Sequence, residues 1–218
     1  MNEYRLQGLQ RRLYGVCAAL VEDNDDPEHE GRVRLRFPWL DDTTVSDWCR
    51  VSQLYAGNGY GALFVPEKQD EVLVAFVHGE MAEPMVIGGV YNGKDKPAGH
   101  HDSKANKDPK LIRTKGGHQI LLDDGSQSRQ VAITTAGGHT VVLDDQNKKV
   151  RVASTAGHEL VFDDASQALH VSSPTGAKIE IDALGRVTIT GTTEVDVNAP
   201  AITLTGGAIT LAGKVSLG

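Results

Sequence analysis

Residues 116–124 read Gly116-Gly117-His118-Gln119-Ile120-Leu121-Leu122-Asp123-Asp124, and the phrase returns as Gly137-Gly138-His139-Thr140-Val141-Val142-Leu143-Asp144-Asp145. It returns again as Ala156-Gly157-His158-Glu159-Leu160-Val161-Phe162-Asp163-Asp164, and a fourth copy, Thr175-Gly176-Ala177-Lys178-Ile179-Glu180-Ile181-Asp182, keeps the frame without the His. The first Asp of each copy follows the last by 21, 19 and 19 residues. A fixed period of this kind marks a stacked, nearly one-dimensional body rather than a globular core.

Each unit carries two strand signals, because apolar residues alternate with period two between turn-forming clusters. One set is Ile120/Leu122, Val141/Leu143, Leu160/Phe162 and Ile179/Ile181; the other is Val131/Ile133, Val150/Val152, Leu169/Val171 and Val187/Ile189. Asp, Asn, Ser and Gly between them fold the backbone locally. From Val187 to the C-terminus only Glu194, Asp196 and Lys214 are charged, and the pattern shortens to strand signals at 195–197, 202–204, 209–211 and 215–217. One such chain has a single apolar stripe, which must meet copies of itself. The expectation is a trimeric β-prism or β-helix with ladder bonds running between chains; the rival is a single-chain solenoid. His118, His139 and His158 share the parity of the apolar set. They read either as an axial ion or water site shared by three chains or as His at strand mouths satisfied by backbone or water. The Asp-Asp pairs lack the spacing of calcium-binding β-rolls and read as turns.

The 218-residue chain has room for one moderate domain plus an elongated tail. No apolar run approaches a membrane span, and the first residues are too polar for a signal peptide, so the expected place of synthesis and assembly is the cytoplasm. Cys17 and Cys49 form no Cys-x-x-Cys and read as buried hydrophobes. Between residues 13 and 92 five basic residues face fourteen Asp and Glu, a net of −9. Phosphate neutralisation dominates nucleic-acid affinity, so this balance argues against a nucleic-acid partner.

In the first half, strand signals at 14–21, 32–38, 49–53, 71–77 and 85–91 are separated by Asp26-Pro27, Gly57-Asn58-Gly59, Val65-Pro66 and Glu83-Pro84. Five short strands without helical periodicity suggest a small barrel of the oligonucleotide/oligosaccharide-binding (OB) type. The fold class is thus all-β: residues 1–12 a lead, 13–93 the barrel, 94–110 a linker, 111–190 the repeat and 191–218 a slender tip. His100-His101-Asp102 in the linker lack a third and fourth ligand nearby and read as solvated. Trp39 and Trp48 read as packing residues, and the Arg32, Arg34 and Arg36 face as either solvated or a contact to acidic neighbours in the assembly.

The succession Asn24-Asp25-Asp26-Pro27, Gly31-Arg32-Val33-Arg34-Leu35-Arg36-Phe37-Pro38-Trp39, Trp48-Cys49-Arg50-Val51, Ala56-Gly57, Phe64-Val65-Pro66, Glu71-Val72-Leu73-Val74-Ala75-Phe76, Val86-Ile87-Gly88 and Tyr91-Asn92-Gly93 closely resembles one known barrel. It is that of the contractile-injection spike family, which includes phage baseplate assembly protein V and the valine-glycine repeat spike of type VI secretion. The resemblance covers about eighty residues, and the repeat after them is similar to the family's needle. It implies a homotrimeric spike at the baseplate of a contractile tail, driven through a target cell envelope. About twelve residues precede the barrel, where larger secretion spikes carry a hub domain, so a separate hub protein is expected to dock on Arg5, Arg11 and Arg12. No His follows His170, so the His-x-His iron site that ends some phage needles is missing. The end formed by Ile209, Leu211, Val215, Leu217 and Gly218 is then expected to carry a tip protein with the proline-alanine-alanine-arginine repeat. The alternative is a polysaccharide-binding or polysaccharide-degrading β-helix protein of a phage tail. Glycoside hydrolysis needs a paired acid and nucleophile in a cleft, and no carboxylate pair stands out from the turns; no catalytic site, metal or cofactor is expected.

Overall fold

A computed structural model describes residues 12–98 and 109–215, and the chain divides into two compact units, Met1–Pro97 and Ala98–Gly218. The expected all-β class holds in both.

In the first unit β1 (Val16–Asp23), β2 (Arg34–Arg36), β3 (Arg50–Val51), β6 (Glu71–Phe76) and β7 (Pro84–Gly89) form one sheet in the order β2-β1-β6-β7-β3. The β3 and β7 strands run parallel and all other pairs are antiparallel. A bridge between Val33 and Cys49, with N–H···O bonds of 3.0 and 2.7 Å, joins the two ends of that order into a barrel. This is the topology of the OB fold, as expected. Alternation decides which side chains go in: Val72, Val74 and Phe76 of β6 are buried and pack with Ala19, Val21, Val33, Leu35, Phe37 and Val86. Cys49 is in the same core, where desolvation first of all pushes its thiol up to about 11. A short hairpin, β4 (Ala56–Gly57) with β5 (Tyr60–Gly61), projects between β3 and β6 and had no counterpart among the expected strands.

The long connection from β1 to β2 is organised around one buried carboxylate. Asp26 is 5% exposed and accepts backbone N–H bonds from Glu28, Glu30 and Arg32, while the Arg32 guanidinium donates to both its oxygens at 2.8 and 3.1 Å. The guanidinium above all, with the three N–H groups, holds this carboxyl well below the usual range. Asp41 plays a similar part in the next loop: the Thr44 hydroxyl, with the N–H groups of Thr43 and Thr44, lowers its carboxyl to about 2. Within one chain the Arg32, Arg34 and Arg36 face already has partners. Arg32 pairs with Asp26, Glu28 and Glu30, Arg34 donates to the Ser46 carbonyl, and Arg36 pairs with Glu22.

The second unit is a nine-stranded sheet in strict sequence order: β8 (Pro109–Arg113), β9 (Gln119–Asp123), β10 (Gln130–Thr134), β11 (Thr140–Asp144), β12 (Lys149–Ala153), β13 (Glu159–Asp163), β14 (Ala168–Ser172), β15 (Lys178–Ile181) and β16 (Val187–Thr190). One expectation is corrected here. The ladder bonds of the repeat run within one chain, each strand pairing antiparallel with the one before and after it, rather than between chains. The reason is the turns, which are short enough to return the chain at once. Among the described residues 191–215 no strand forms, although 195–197, 202–204 and 209–211 carry the expected pattern.

The turns at one edge share one chemistry. At Thr114, Thr135 and Ser154 the residue's N–H donates to the carbonyl of His118, His139 and His158, its carbonyl accepts from Gly117, Gly138 and Gly157, and its hydroxyl accepts from the His N–H. This is the type I turn with a left-handed Gly that sets hairpin register, with φ of +96°, +89° and +88° at the three glycines. Gly137→Ala, whose new Cβ would meet nothing closer than 4.0 Å, should leave unfolding within about 0.5 kcal/mol. Gly138→Ala places a Cβ 2.9 Å from the Thr155 methyl in a left-handed conformation and should cost about 1–2 kcal/mol in urea unfolding.

For the barrel, a depressed carboxylate contributes stability above its ordinary pKa of about 4 and loses it as pH falls toward the folded value. The barrel should therefore weaken between about pH 4 and 2. Asp26→Asn should lower Tm at neutral pH by several degrees and flatten that acid limb, read by circular dichroism across pH.

Candidate functional site

The register of the nine strands sorts their side chains into two faces. One face carries two rows. Ile112, Ile120, Ile133, Val141, Val152, Leu160, Val171, Ile179 and Ile189 are successive cross-strand partners. Leu122, Val131, Leu143, Val150, Phe162, Leu169, Ile181 and Val187 form the second row beside them, which starts at Lys110. Period-two alternation of the sequence thus becomes a continuous apolar surface, with Val141, Leu160, Leu169 and Ile181 half-buried and the others exposed from 36% at Val150 to 60% at Ile189. Contiguous apolar surface of that extent marks an interaction site on a soluble protein.

The opposite face is polar along most of its length. Lys149 pairs with Asp163 at 3.1 Å, Arg151 with Glu159, and Lys178 with Glu180 at 2.8 Å, while His170 Nδ1 lies 3.5 Å from Glu180. Lys149 and Lys178 respectively are the main reason that the Asp163 and Glu180 carboxyls sit below their ordinary values. The central row of this face is apolar at Leu111, Leu121, Ala132, Val142 and Val161, of which Leu121 and Ala132 are buried. The sheet therefore has a wet side and a side that, among the described residues, only the run 191–196 lines in its own chain.

The apolar side borders an open hollow of about 830 Å³ that His139 and His158 line together with Val141, Val152, Leu160 and Val195. Their shared parity with the apolar set thus places these two imidazoles on the apolar side, at its turn edge. His118 has a local partner, its Nδ1 accepting the Ala136 N–H at 3.2 Å. Successive copies sit two strands apart, roughly 9.5 Å, which is too far for His of one chain to share an ion at normal bond lengths. Among the described residues no group of three potential ligands could hold a metal.

Of the two proposed ends, Arg12 donates to the Tyr14 hydroxyl at 3.1 Å, whereas Arg5 and Arg11 lie outside the described residues. Ile209, Leu211 and Val215 are exposed at 53%, 66% and 55%, and Leu217 and Gly218 lie outside the described residues, as do His100, His101 and Asp102. Trp39 stands edge-on to Phe37 with ring centroids 5.8 Å apart, and Trp48 is half-buried. One feature that the strand pattern missed is the apolar hairpin around Tyr55 and Tyr60. The signal was an uncharged run, residues 51–66, inside an otherwise acidic barrel.

Residues 17–91 match the type VI secretion system/phage-baseplate injector OB domain. The chain is 29% identical over 132 residues to the type VI secretion system spike protein VgrG4b of Pseudomonas aeruginosa, covering 56% of this chain and 16% of that protein. It is 30% identical over 113 residues to VgrG1a of the same organism, covering 47% of this chain and 18% of the relative. Over 113 residues it is 28% identical to the actin cross-linking toxin VgrG1 of Vibrio cholerae, covering 48% of this chain and 10% of the relative. The chain thus spans less than a fifth of the length of these relatives.

Proposed function

Since this chain carries the injector OB domain of the type VI secretion and phage-baseplate spike family, we propose that it is a homotrimeric central spike, a mechanical part of a contractile injection machine. The observation that carries the reading is the apolar face of the repeat sheet, which among the described residues of its own chain meets only the short run 191–196. Three copies facing inward around an axis bury that face and leave the ion-paired faces outward. Each large apolar side chain taken out of water contributes about 1.5–3 kcal/mol before ordering costs, and the two rows repeat the gain at every strand.

In this reading the needle is stiff because each of its walls is a continuous hydrogen-bonded meander and the walls are held together by side-chain packing. Separating the chains exposes the whole face at once, which gives a high unfolding barrier. His118, His139 and His158 lie at one edge of each wall, where three chains bring like imidazoles together, an axial water or ion site by symmetry. Arg5, Arg11 and Arg12 at the lead serve a separate hub protein. Ile209, Leu211, Val215, Leu217 and Gly218 at the far end serve a tip protein with the proline-alanine-alanine-arginine repeat. The target cell envelope is met transiently, on contraction. Among the described residues no helix is long and apolar enough to cross a membrane.

The relatives named as spikes favour a structural role over catalysis, and the acidic barrel disfavours nucleic acid. Purified protein should release no product from peptidoglycan or capsular polysaccharide. Loss of a real activity on a single Asp→Asn or Glu→Gln change would overturn that expectation. The trimer is tested by sedimentation at submicromolar concentration: wild type should give three copies. Phe162→Glu, which puts a charge on the apolar face, should shift the mass to monomer. Glu180→Gln on the wet face should not. A monodisperse wild-type monomer would sink the spike reading. Deletion of residues 208–218 should keep the trimer and abolish capture of the tip protein; retained capture would refute the platform.

A further inference from the structure

The barrel carries two further apolar surfaces, of complementary form, that its own chain leaves unpartnered. The first is a projecting finger, residues 54–64. Leu54, Tyr55, Tyr60, Leu63 and Phe64 are exposed there at 92%, 63%, 60%, 71% and 54%, in a run 51–66 without a single charged residue. The finger is built rigidly. Gln53 clamps its base by donating to the Phe64 carbonyl at 3.2 Å and accepting the Phe64 N–H at 2.9 Å, and Ala62 N–H donates to the Tyr55 carbonyl at 2.8 Å. The Tyr55 and Tyr60 rings lie 5.3 Å apart, and Tyr60 packs so closely on Gly57 that a Cβ there would fall 2.2 Å from its ring. Rigid aromatic groups of this kind bind with little further loss of conformational freedom.

The second surface is flat. Antiparallel sheets that cover a core on one side normally turn polar residues outward, but the outward positions of three adjacent strands here are apolar except at one end, where Glu22 and Glu71 stand. Val16 pairs with Ala75 and Ala75 with Met85, while Ala18 pairs with Leu73 and Leu73 with Gly88. Val16 is 56% and Ile87 42% exposed beside them. Both surfaces interrupt a barrel whose net charge is −9 between residues 13 and 92.

That charge decides the occupant. Two such barrels repel wherever their carboxylates face each other, and near a rotation axis any charged residue meets its own copies. An uncharged projection and a flat patch that is uncharged over Val16, Ala18, Leu73, Ala75, Met85 and Ile87 are the two halves of a head-to-tail contact, which closes into a ring when each copy uses each half once. We propose that residues 54–64 of one copy pack across the outer face of β1, β6 and β7 of a second copy, so that the barrels form their own ring independently of the repeat sheets. The proposal rests on the self-associating reading given above and adds a second interface to it.

The test uses the full chain with Cys17→Ala and the buried Cys49 retained. Tyr60→Cys and Ala75→Cys are placed on two differently tagged copies and co-expressed. Mild oxidation should give a disulfide between the two tags, while either variant alone should give none, and Leu63→Glu should lower the yield several-fold at unchanged oligomeric mass. A trimer by mass with no disulfide between tags, or with disulfides within one tag only, overturns the ring contact and leaves the spike reading standing. A supplied hub protein that competes the disulfide away from preformed trimers assigns the finger to the hub and overturns the proposal in the same way. A monomeric wild type overturns both.

Discussion

A β-sheet that alternates apolar and polar residues with period two must lay something against its apolar side, and in the nine-stranded repeat only the short run 191–196 does so. That constraint organises the second unit. It makes the turns tight, because a one-residue slip at any hairpin would turn that strand's apolar pair to the wet face. Hence the recurrence of a hydroxyl that accepts the His N–H and a Gly in the left-handed region, at Thr114 with Gly117, Thr135 with Gly138 and Ser154 with Gly157. It also accounts for the ion pairs on the other side, such as Lys149 with Asp163, which keep that face wet and fix which side remains available for packing.

The barrel solves a different problem. It closes on itself through the Val33–Cys49 bridge, so its core needs no second chain. Its basic residues stabilise its own loops: Arg32 is spent on Asp26 and its neighbours, and Arg36 on Glu22. The outer surface is then strongly acidic except where it is apolar. The finger is uncharged, and so is the part of the outer face of β1, β6 and β7 around Val16, Ala75 and Met85.

Much of this was legible in the primary structure because period-two alternation and turn residues are local properties. The apolar pairs from Ile120/Leu122 to Val187/Ile189 were assigned to one face by parity alone, and the register confirms that assignment. The direction of the hydrogen bonds was not legible. The same alternation suits ladders between chains or within one, and hairpin closure at the short turns decides for the second. The partners of the arginine stripe were not legible for a similar reason: parity places Arg32, Arg34 and Arg36 on one face, but only the folded loop brings Asp26 beneath Arg32. The finger was missed because Leu54, Tyr55, Leu63 and Phe64 are residues that ordinarily signal a core.

By itself, then, the sequence determined the all-β class, the five barrel strands, the period of the repeat and the existence of a one-sided apolar stripe, since all are written in spacing of a few residues. The tertiary structure alone decided the meander, the pairing of the arginines within the barrel, and the exposure of the finger and of the outer face of β1, β6 and β7. These depend on which residues distant in sequence come within hydrogen-bonding or van der Waals reach, and such distances exist only after the chain has closed.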